Sequence, residues 1–275
     1  MKRFLGVILL FTIILQSCIK GEGPIIQDII EVNGVIKGLK SKGDFDVVVI
    51  FGTDQTVIAE GYQNVIKNLN VNLNANGFLE LELIQGNYVD LDLTIYVTIP
   101  KGHYFSQTAK GDLTFINGEN RVLDSLEIRH DGSGDVRSIG SMICNGNSVL
   151  NLFGSGDINM KINCSNFISN SNGAGDVIVD LNCNRADVFV SNLGNYYLTG
   201  NVNTQQIELN SSGYYRAFGL NSLTAIATNN GIGDIECKVA NNLSANISSS
   251  GDILYKGTPG IIQNITGTGL LINSN

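Results

Sequence analysis

The chain has 275 residues, enough for one large or two small domains with a sizeable core; its 43% hydrophobic and 15% charged content excludes a disordered acidic tail or a coiled coil. With 32 Gly, 34 Asn, 3 Pro and no Trp, it is rich in residues that accept positive φ at turns and shows no long amphipathic helix pattern. Lys and Arg number 17 against 25 Asp and Glu, a net charge of −8, which excludes the basic surface that nucleic acid requires.

The first 18 residues, MKRFLGVILLFTIILQSC, start with Lys2 and Arg3 and continue through an apolar run from Phe4 to Leu15. That run is too short to cross a bilayer comfortably and reads as a secretory signal over residues 1–17. The closing Leu-Gln-Ser-Cys resembles the lipobox of bacterial lipoproteins, with Gln16 departing from the small or hydroxylated residue commonest there. The resemblance implies lipidation of Cys18 and anchoring in the bacterial envelope, at the outer membrane, on its periplasmic side or at the cell surface. Residues 18–26 are expected to form the lipidated N-terminus and linker. Loss of Lys2 and Arg3 leaves 15 cations against 25 anions, a net charge of −10, which disfavours docking on anionic lipid.

Residues 27–107 alternate apolar and polar residues in DFDVVVIFG, NLNVNLNANGFLELEL and VDLDLTIYVTIP, the period of strands with one buried face. They are expected to form an N-terminal β region that caps the remainder of the chain. From residue 108 to 275 the chain repeats. The second glycine of each G-x-G, or its equivalent, falls at Gly111, Gly134, Gly156, Gly175, Gly194, Gly213, Gly233, Gly251 and Gly269, 18 to 23 residues apart. Positions two, four and six after the glycine are mostly apolar, as in Ile158, Met160 and Ile162. A second apolar stretch follows in each unit, such as Val188 and Val190. Two or three short strands per unit of about 20 residues predict an all-β chain, a right-handed parallel β-helix continuous with the cap. The glycine recurs because the corner needs positive φ or close backbone approach. Asn163, Asn182, Asn203 and Asn221 are expected to stack at the end of the first strand.

The lipobox, the opening GDFDVVVIFGTDQTVIAEG, NGFLELEL, YVTIP and the repeated G-S-G-D-[IV] together resemble the head GIN domain of putative auto-transporter adhesins over residues 30–270. The resemblance implies a bacterial envelope protein with a β-helix-like fold and no established enzymatic activity. It transfers no binding residue, and NLGNYYL and SSGYYRAF depart from its aspartate pattern.

Four sets of residues invite a chemical reading. Asp135, Asp157 and Asp176 follow the repeat glycine in successive units; stacked carboxylates are expected to accept hydrogen bonds from their own turns, with Ca²⁺ binding as the alternative and no other cofactor. Where that column is interrupted, Tyr197, Tyr214, Arg216 and Phe218 are expected on one outer face, a candidate ligand-binding surface for glycan or protein, with cover by another segment or a dimer contact as the alternative. Cys144, Cys164 and Cys183 take nearly the same slot in consecutive units and Cys237 an inward one, reading as buried thiols, with a Cys164–Cys183 bridge as the alternative. Arg129, His130, Asp131, Asp135 and Arg137 form a charged cluster in RHDGSGDVR, to be weighed as a polysaccharide lyase or hydrolase site against a solvated turn. No nucleophile motif accompanies His103 or His130. A non-catalytic adhesion or ligand-binding module is the expected function; a carbohydrate-active enzyme and a purely structural envelope lipoprotein are the alternatives.

Overall fold

The computed structural model describes residues 18–275 apart from Gln85, Asp90 and Asn192; the signal-peptide assignment of residues 1–17 lies outside the described residues. The N-terminal elements are β1 (Cys18–Lys20), β2 (Ile25–Ile29), β3 (Gly38–Lys42), β4 (Asp46–Phe51), β5 (Thr56–Tyr62), α1 (Gln63–Ile66), β6 (Leu69–Leu73), β7 (Phe78–Leu83), β8 (Asn87–Val89), β9 (Leu93–Ile99) and β10 (Tyr104–Gln107). Beyond them come β11 (Leu113–Ile116), β12 (Val122–Leu123), β13 (Leu126–His130), β14 (Val136–Cys144), β15 (Asn147–Leu152), β16 (Ile158–Asn163) and β17 (Asn166–Ser171). The chain finishes with β18 (Val177–Val190), β19 (Tyr196–Leu209), β20 (Tyr215–Asn229), β21 (Ile235–Ile247), β22 (Ile253–Lys256), β23 (Gly260–Ile265) and β24 (Leu271–Asn273).

Parallel pairing between successive units makes a β-solenoid of about eight turns of roughly 20 residues, as the glycine register predicts. One wall runs β4–β11–β14–β16–β18 and onward; the other runs β3–β10–β13–β15–β17–β18. From β18 to β21 the two walls join in single bent strands of 13 to 15 residues. The alternation read from sequence is the wall geometry. Ile158, Val177, Tyr196, Tyr215, Ile235 and Ile253 stack inward in one column, each fully buried. Each such side chain contributes about 1.5–3 kcal/mol.

The wall-to-wall corner explains the glycines. A Cβ built on Gly156, Gly175, Gly194, Gly213, Gly233 or Gly251 would lie 1.8–2.1 Å from the carbonyl oxygen of the equivalent glycine one turn before. None of these six has positive φ, so close approach, not the left-handed conformation, selects glycine. The asparagine column is Asn163, Asn182, Asn201 and Asn221, linked side chain to side chain at 3.1–3.2 Å. Asn203, expected there, instead donates to Asn184 in a second short ladder.

The N-terminal region joins the stack directly, because β3 and β4 pair with β10 and β11. Antiparallel pairings of β5 with β2 and β9, and of β6 with β7, close that end, with Val65 and Ile66 of α1 buried beside them. Phe105 meets Phe51 and Phe115 edge to face, at centroid distances of 6.0 and 4.9 Å, where cap and solenoid meet. The segment 18–26, expected as a linker, contributes β1, which pairs in parallel with β8. No helix among the described residues is long and apolar enough to cross a membrane.

Candidate functional site

The column of turn aspartates is a hydrogen-bond ladder between turns. The Asp135 backbone N–H donates to Asp112 Oδ1 at 2.9 Å, Asp157 to Asp135 at 2.9 Å, Asp176 to Asp157 at 2.8 Å and Asn195 to Asp176 at 2.7 Å. Each carboxylate thus satisfies the next turn's amide, not its own turn as the sequence reading has it. The ladder starts at Asp46, which accepts from Asp112, before the glycine register begins. Among the described residues no group of three or more His, Cys, Asp or Glu side chains converges as a metal site.

At Tyr214 the acceptor side chain is lost. Its N–H still donates to Asn195 Oδ1 at 3.1 Å, and the ladder resumes only with Asp252 donating to Asp234. Freed from the turn, the Tyr214 ring lies outside, 37% exposed, with the Arg216 guanidinium 4.6 Å from its centroid. Strand alternation puts Tyr197 and Arg216 directly opposite each other on β19 and β20, facing out, with Ile178 and Glu236 on either side in the same column. Arg216 also donates to Glu236 Oε1 at 2.8 Å, so its cation is oriented from two directions. Phe218 sits where the β19–β20 register shifts, half-buried, under Lys256 Nζ at 4.5 Å. All four residues singled out in the sequence therefore lie on the outer side of two adjacent turns. Rings paired with oriented cations form a surface able to stack on a sugar ring or an aromatic side chain.

A feature the sequence reading missed runs beside this face. The residues flanking the first turn glycines line a shallow groove of about 980 Å³, with Asp44, Lys110, Asp131, Phe153, Leu193 and Ser212 along it. Phe153 is exposed and stacks under Arg129, whose Nε donates to Asp131 at 2.7 Å. Its sequence signal was the variable residue before each turn glycine, Asp131 and Phe153 above all, which the glycine register left uncounted.

The RHDGSGDVR cluster does not converge. Arg129 pairs with Asp131, Arg137 pairs with Asp112 at 3.2 Å, and His130 turns inward, fully buried. Neither His130 ring nitrogen has a hydrogen-bond partner; Ser41, Gln107 and Leu152 share its column. Burial depresses its pKa, opposed in part by Asp131 and Asp135. The folded chain therefore takes up a proton on His130 less readily than the unfolded chain, which does so near pH 6.5. Stability is retained above that value and falls as pH drops below it, by at most about 1.4 kcal/mol per pH unit. Urea unfolding of the wild type and of His130→Leu across pH 7 to about 5 is expected to show a shallower acid loss in the variant. An unchanged slope would reject this assignment.

All five cysteines are free. Cys144 and Cys237 are buried, and burial pushes both thiols up to about 12. In Cys183, which donates to the Arg185 carbonyl, the adjacent Cys164 sulfur and burial also raise the pKa. Cys18, exposed at the start of β1, rims a hollow of about 770 Å³ with Leu83, Tyr88, Val89, Lys42 and Lys110.

These features define a class: a parallel β-solenoid with a capped N-terminal end, ladders of turn side chains, and its chemistry on outer faces, not in an enclosed cavity. The chain belongs to the putative auto-transporter adhesin, head GIN domain family, whose model matches residues 37–259. No curated protein matches it. Among solved structures it is similar to a putative adhesin from Parabacteroides distasonis, at 20% identity and a TM-score of 0.65 over 94% of this chain and 100% of that one. A putative lipid binding protein from the same species matches at 18% and 0.63, over 94% and 100%. A putative adhesin from Parabacteroides merdae matches at 17% and 0.61, over 94% and 99%. At these identities the likeness is one of fold.

Proposed function

We propose that this protein is a non-catalytic binding module of the bacterial envelope, held by a lipid on Cys18, that takes a glycan on the face carrying Tyr197, Tyr214, Arg216 and Phe218. The carrying observation is the in-register Tyr197–Arg216 pair with Tyr214 stacked on the same guanidinium. A sugar ring offers apolar C–H faces to exposed rings and hydroxyls to a cation, and the stiff solenoid holds these groups at fixed spacing without a loop to order on binding. The family's adhesin description and the apolar run from Phe4 to Leu15, followed closely by Cys18, support the envelope setting. Partnered arginines and an inward His130 speak against hydrolytic or lyase chemistry at RHDGSGDVR.

The test is an array of host and bacterial glycans and matrix proteins, probed with residues 18–275 and with the Tyr197→Ala/Tyr214→Ala/Arg216→Ala variant. A glycan bound by the wild type and weakened about 30-fold or more in the variant, with unchanged circular dichroism, supports the reading. Binding that survives rejects the face. A protein ligand lost in the variant keeps the face and replaces the ligand class, and release of shortened glycan establishes an enzyme instead.

A further inference from the structure

Two further side chains lie on the face of Tyr197, Tyr214, Arg216 and Phe218, and the sequence reading passed them over. Lys238 and Lys256 are in-register partners on β21 and β22, two residues beyond the Glu236–Leu254 pair. Cys237 and Tyr255 between them are buried, so both lysines point outward. Strand geometry puts their Cα atoms about 4.8 Å apart, and Lys238 about 6.7 Å along β21 from the Arg216–Glu236 column. Lys256 reaches back across the intervening turn, its Nζ 4.5 Å from the centre of the Phe218 ring.

The carboxylates of this wall are committed elsewhere: Glu236 to Arg216, Asp180 to Lys161 and Asp112 to Arg137. Asp234 and Asp252, in the turns that lead into β21 and β22, each accept a backbone N–H of the next turn through Oδ1. Among the described residues neither Lys238 nor Lys256 makes an ion pair. Like charges in register on adjacent strands cost stability, and an anion between them relieves that cost. The chain as a whole is acidic, at −8, but beyond a Debye length of about 8 Å its other charges are screened at physiological ionic strength. A ligand here therefore meets rings, the oriented Arg216 and two side-by-side cations. A neutral sugar would use the rings and leave the lysines repelling each other. A polyanion without sugar rings would use the lysines and leave the aromatics bare.

We propose that the ligand of this face is an acidic glycan, a chain of pyranoses bearing carboxylate or sulfate groups, whose rings stack on Tyr197 and Tyr214 while an anionic group bridges Lys238 and Lys256. The inference rests on the reading of this face as a glycan site, and adds the ligand's charge and the two residues that read it.

The test is isothermal titration calorimetry at physiological ionic strength on residues 18–275, which contain every described strand. The probes are polygalacturonate, dextran sulfate, neutral dextran and polyglutamate. Polygalacturonate or dextran sulfate is expected to bind at least about 10-fold more tightly than dextran or polyglutamate, and the tighter of the two identifies the anion. Lys238→Gln/Lys256→Gln is expected to weaken that binding about 10-fold or more without lowering Tm, since it removes a repulsion. Tyr197→Ala/Tyr214→Ala is expected to weaken it too, and Lys67→Gln, at an exposed lysine of the cap, to leave it unchanged. Dextran bound as tightly as the acidic polymers, sensitive to the tyrosines and indifferent to the lysines, would overturn this inference and leave the face a neutral-glycan site. Binding that needs the lysines but not the tyrosines, or polyglutamate bound as tightly as the acidic glycans, would overturn it together with the glycan reading of the face. Failure of polygalacturonate and dextran sulfate alike to bind would overturn the acidic class, and the glycan array then decides the face separately.

Discussion

Replacing Gly175 by Ala is expected to cost at least about 3 kcal/mol and to lower Tm by roughly 6–12 °C for a chain of this size. The added Cβ would sit 2.0 Å from the Gly156 carbonyl oxygen and 2.6 Å from its carbon. Both are backbone atoms of the preceding turn, so no rotamer change relieves the clash. The two turns must separate instead, which strains the ladder hydrogen bonds from Asp176 to Asp157 and from Asn195 to Asp176. Gly118→Ala is the control, since nothing lies within 4 Å of its Cβ and its φ is not positive. Its effect is expected within about 0.5 kcal/mol of zero. Differential scanning calorimetry of both variants decides the matter. Equal melting temperatures would mean that the turns accommodate a methyl group, and the column of glycines would need another cause.

That contrast also shows how far the sequence could be read. Gly134 to Gly269 recur because every turn solves the same steric problem, so the period was visible without knowing the problem. Inward residues such as Val177 and Val179 were equally plain, since a period of two has one physical meaning in a strand. Hydrogen bonds between turns were not. Whether Asp157 caps its own turn or the Asp176 amide depends on corner geometry that no spacing encodes. The asparagine column shows the limit in miniature. Asn163, Asn182 and Asn201 lie seven residues after their turn glycine, while Asn221 lies eight after its own, because the register shifts around Phe218. Without that shift in view, Asn203 looked as good a partner as Asn201. Pairings in the cap were hidden for a different reason: β5 meets β9 across some 30 residues of chain, and alternation says nothing about which strand is the neighbour.

For the candidate face the sequence carried more than usual. Loss of the aspartate at Tyr214 and strand alternation sufficed to bring Tyr197, Tyr214 and Arg216 together. The partners that orient them, Glu236 on Arg216 and Lys256 on Phe218, come from the next turns and required the register. The groove beside Phe153 required the corner itself, because residues as far apart in the chain as Asp44 and Ser212 line it together only once the turns are stacked.

A second large effect is expected at alkaline pH, where the reduced protein should unfold cooperatively between about pH 10 and 11.5. Cys144, Cys237 and Tyr196 are pushed up to about 12 by burial, and Tyr215, stacked on Tyr196 at 6.4 Å, is raised well above its ordinary value, also chiefly by burial. The unfolded chain loses these protons near pH 9 for the thiols and pH 10 for the phenols. Each group therefore contributes stability that is complete below its unfolded pKa and is lost as pH rises toward the folded one. At pH 11 this amounts to about 3 kcal/mol for each thiol and somewhat over 1 kcal/mol for Tyr196, with Tyr215 acting in the same direction. The first three together give about 7 kcal/mol, comparable with the whole stability of an ordinary domain. The hydroxyls are also tied down: Tyr196 meets Ser169 Oγ at 2.9 Å, and Tyr215 donates to Gln205 Oε1 at 3.0 Å, so ionising Tyr215 would leave a buried acceptor facing a charge. Circular dichroism and tyrosinate absorbance, followed together as pH rises, should change in one step. Cys144→Ala/Cys237→Ala removes the two largest contributions and is expected to move that step upward, by up to about one pH unit, relative to the variant's own stability at pH 8. Tyrosinate appearing well before the circular dichroism changes would show that Tyr196 and Tyr215 titrate in the folded solenoid, and the inner columns would then be wetter than their packing implies.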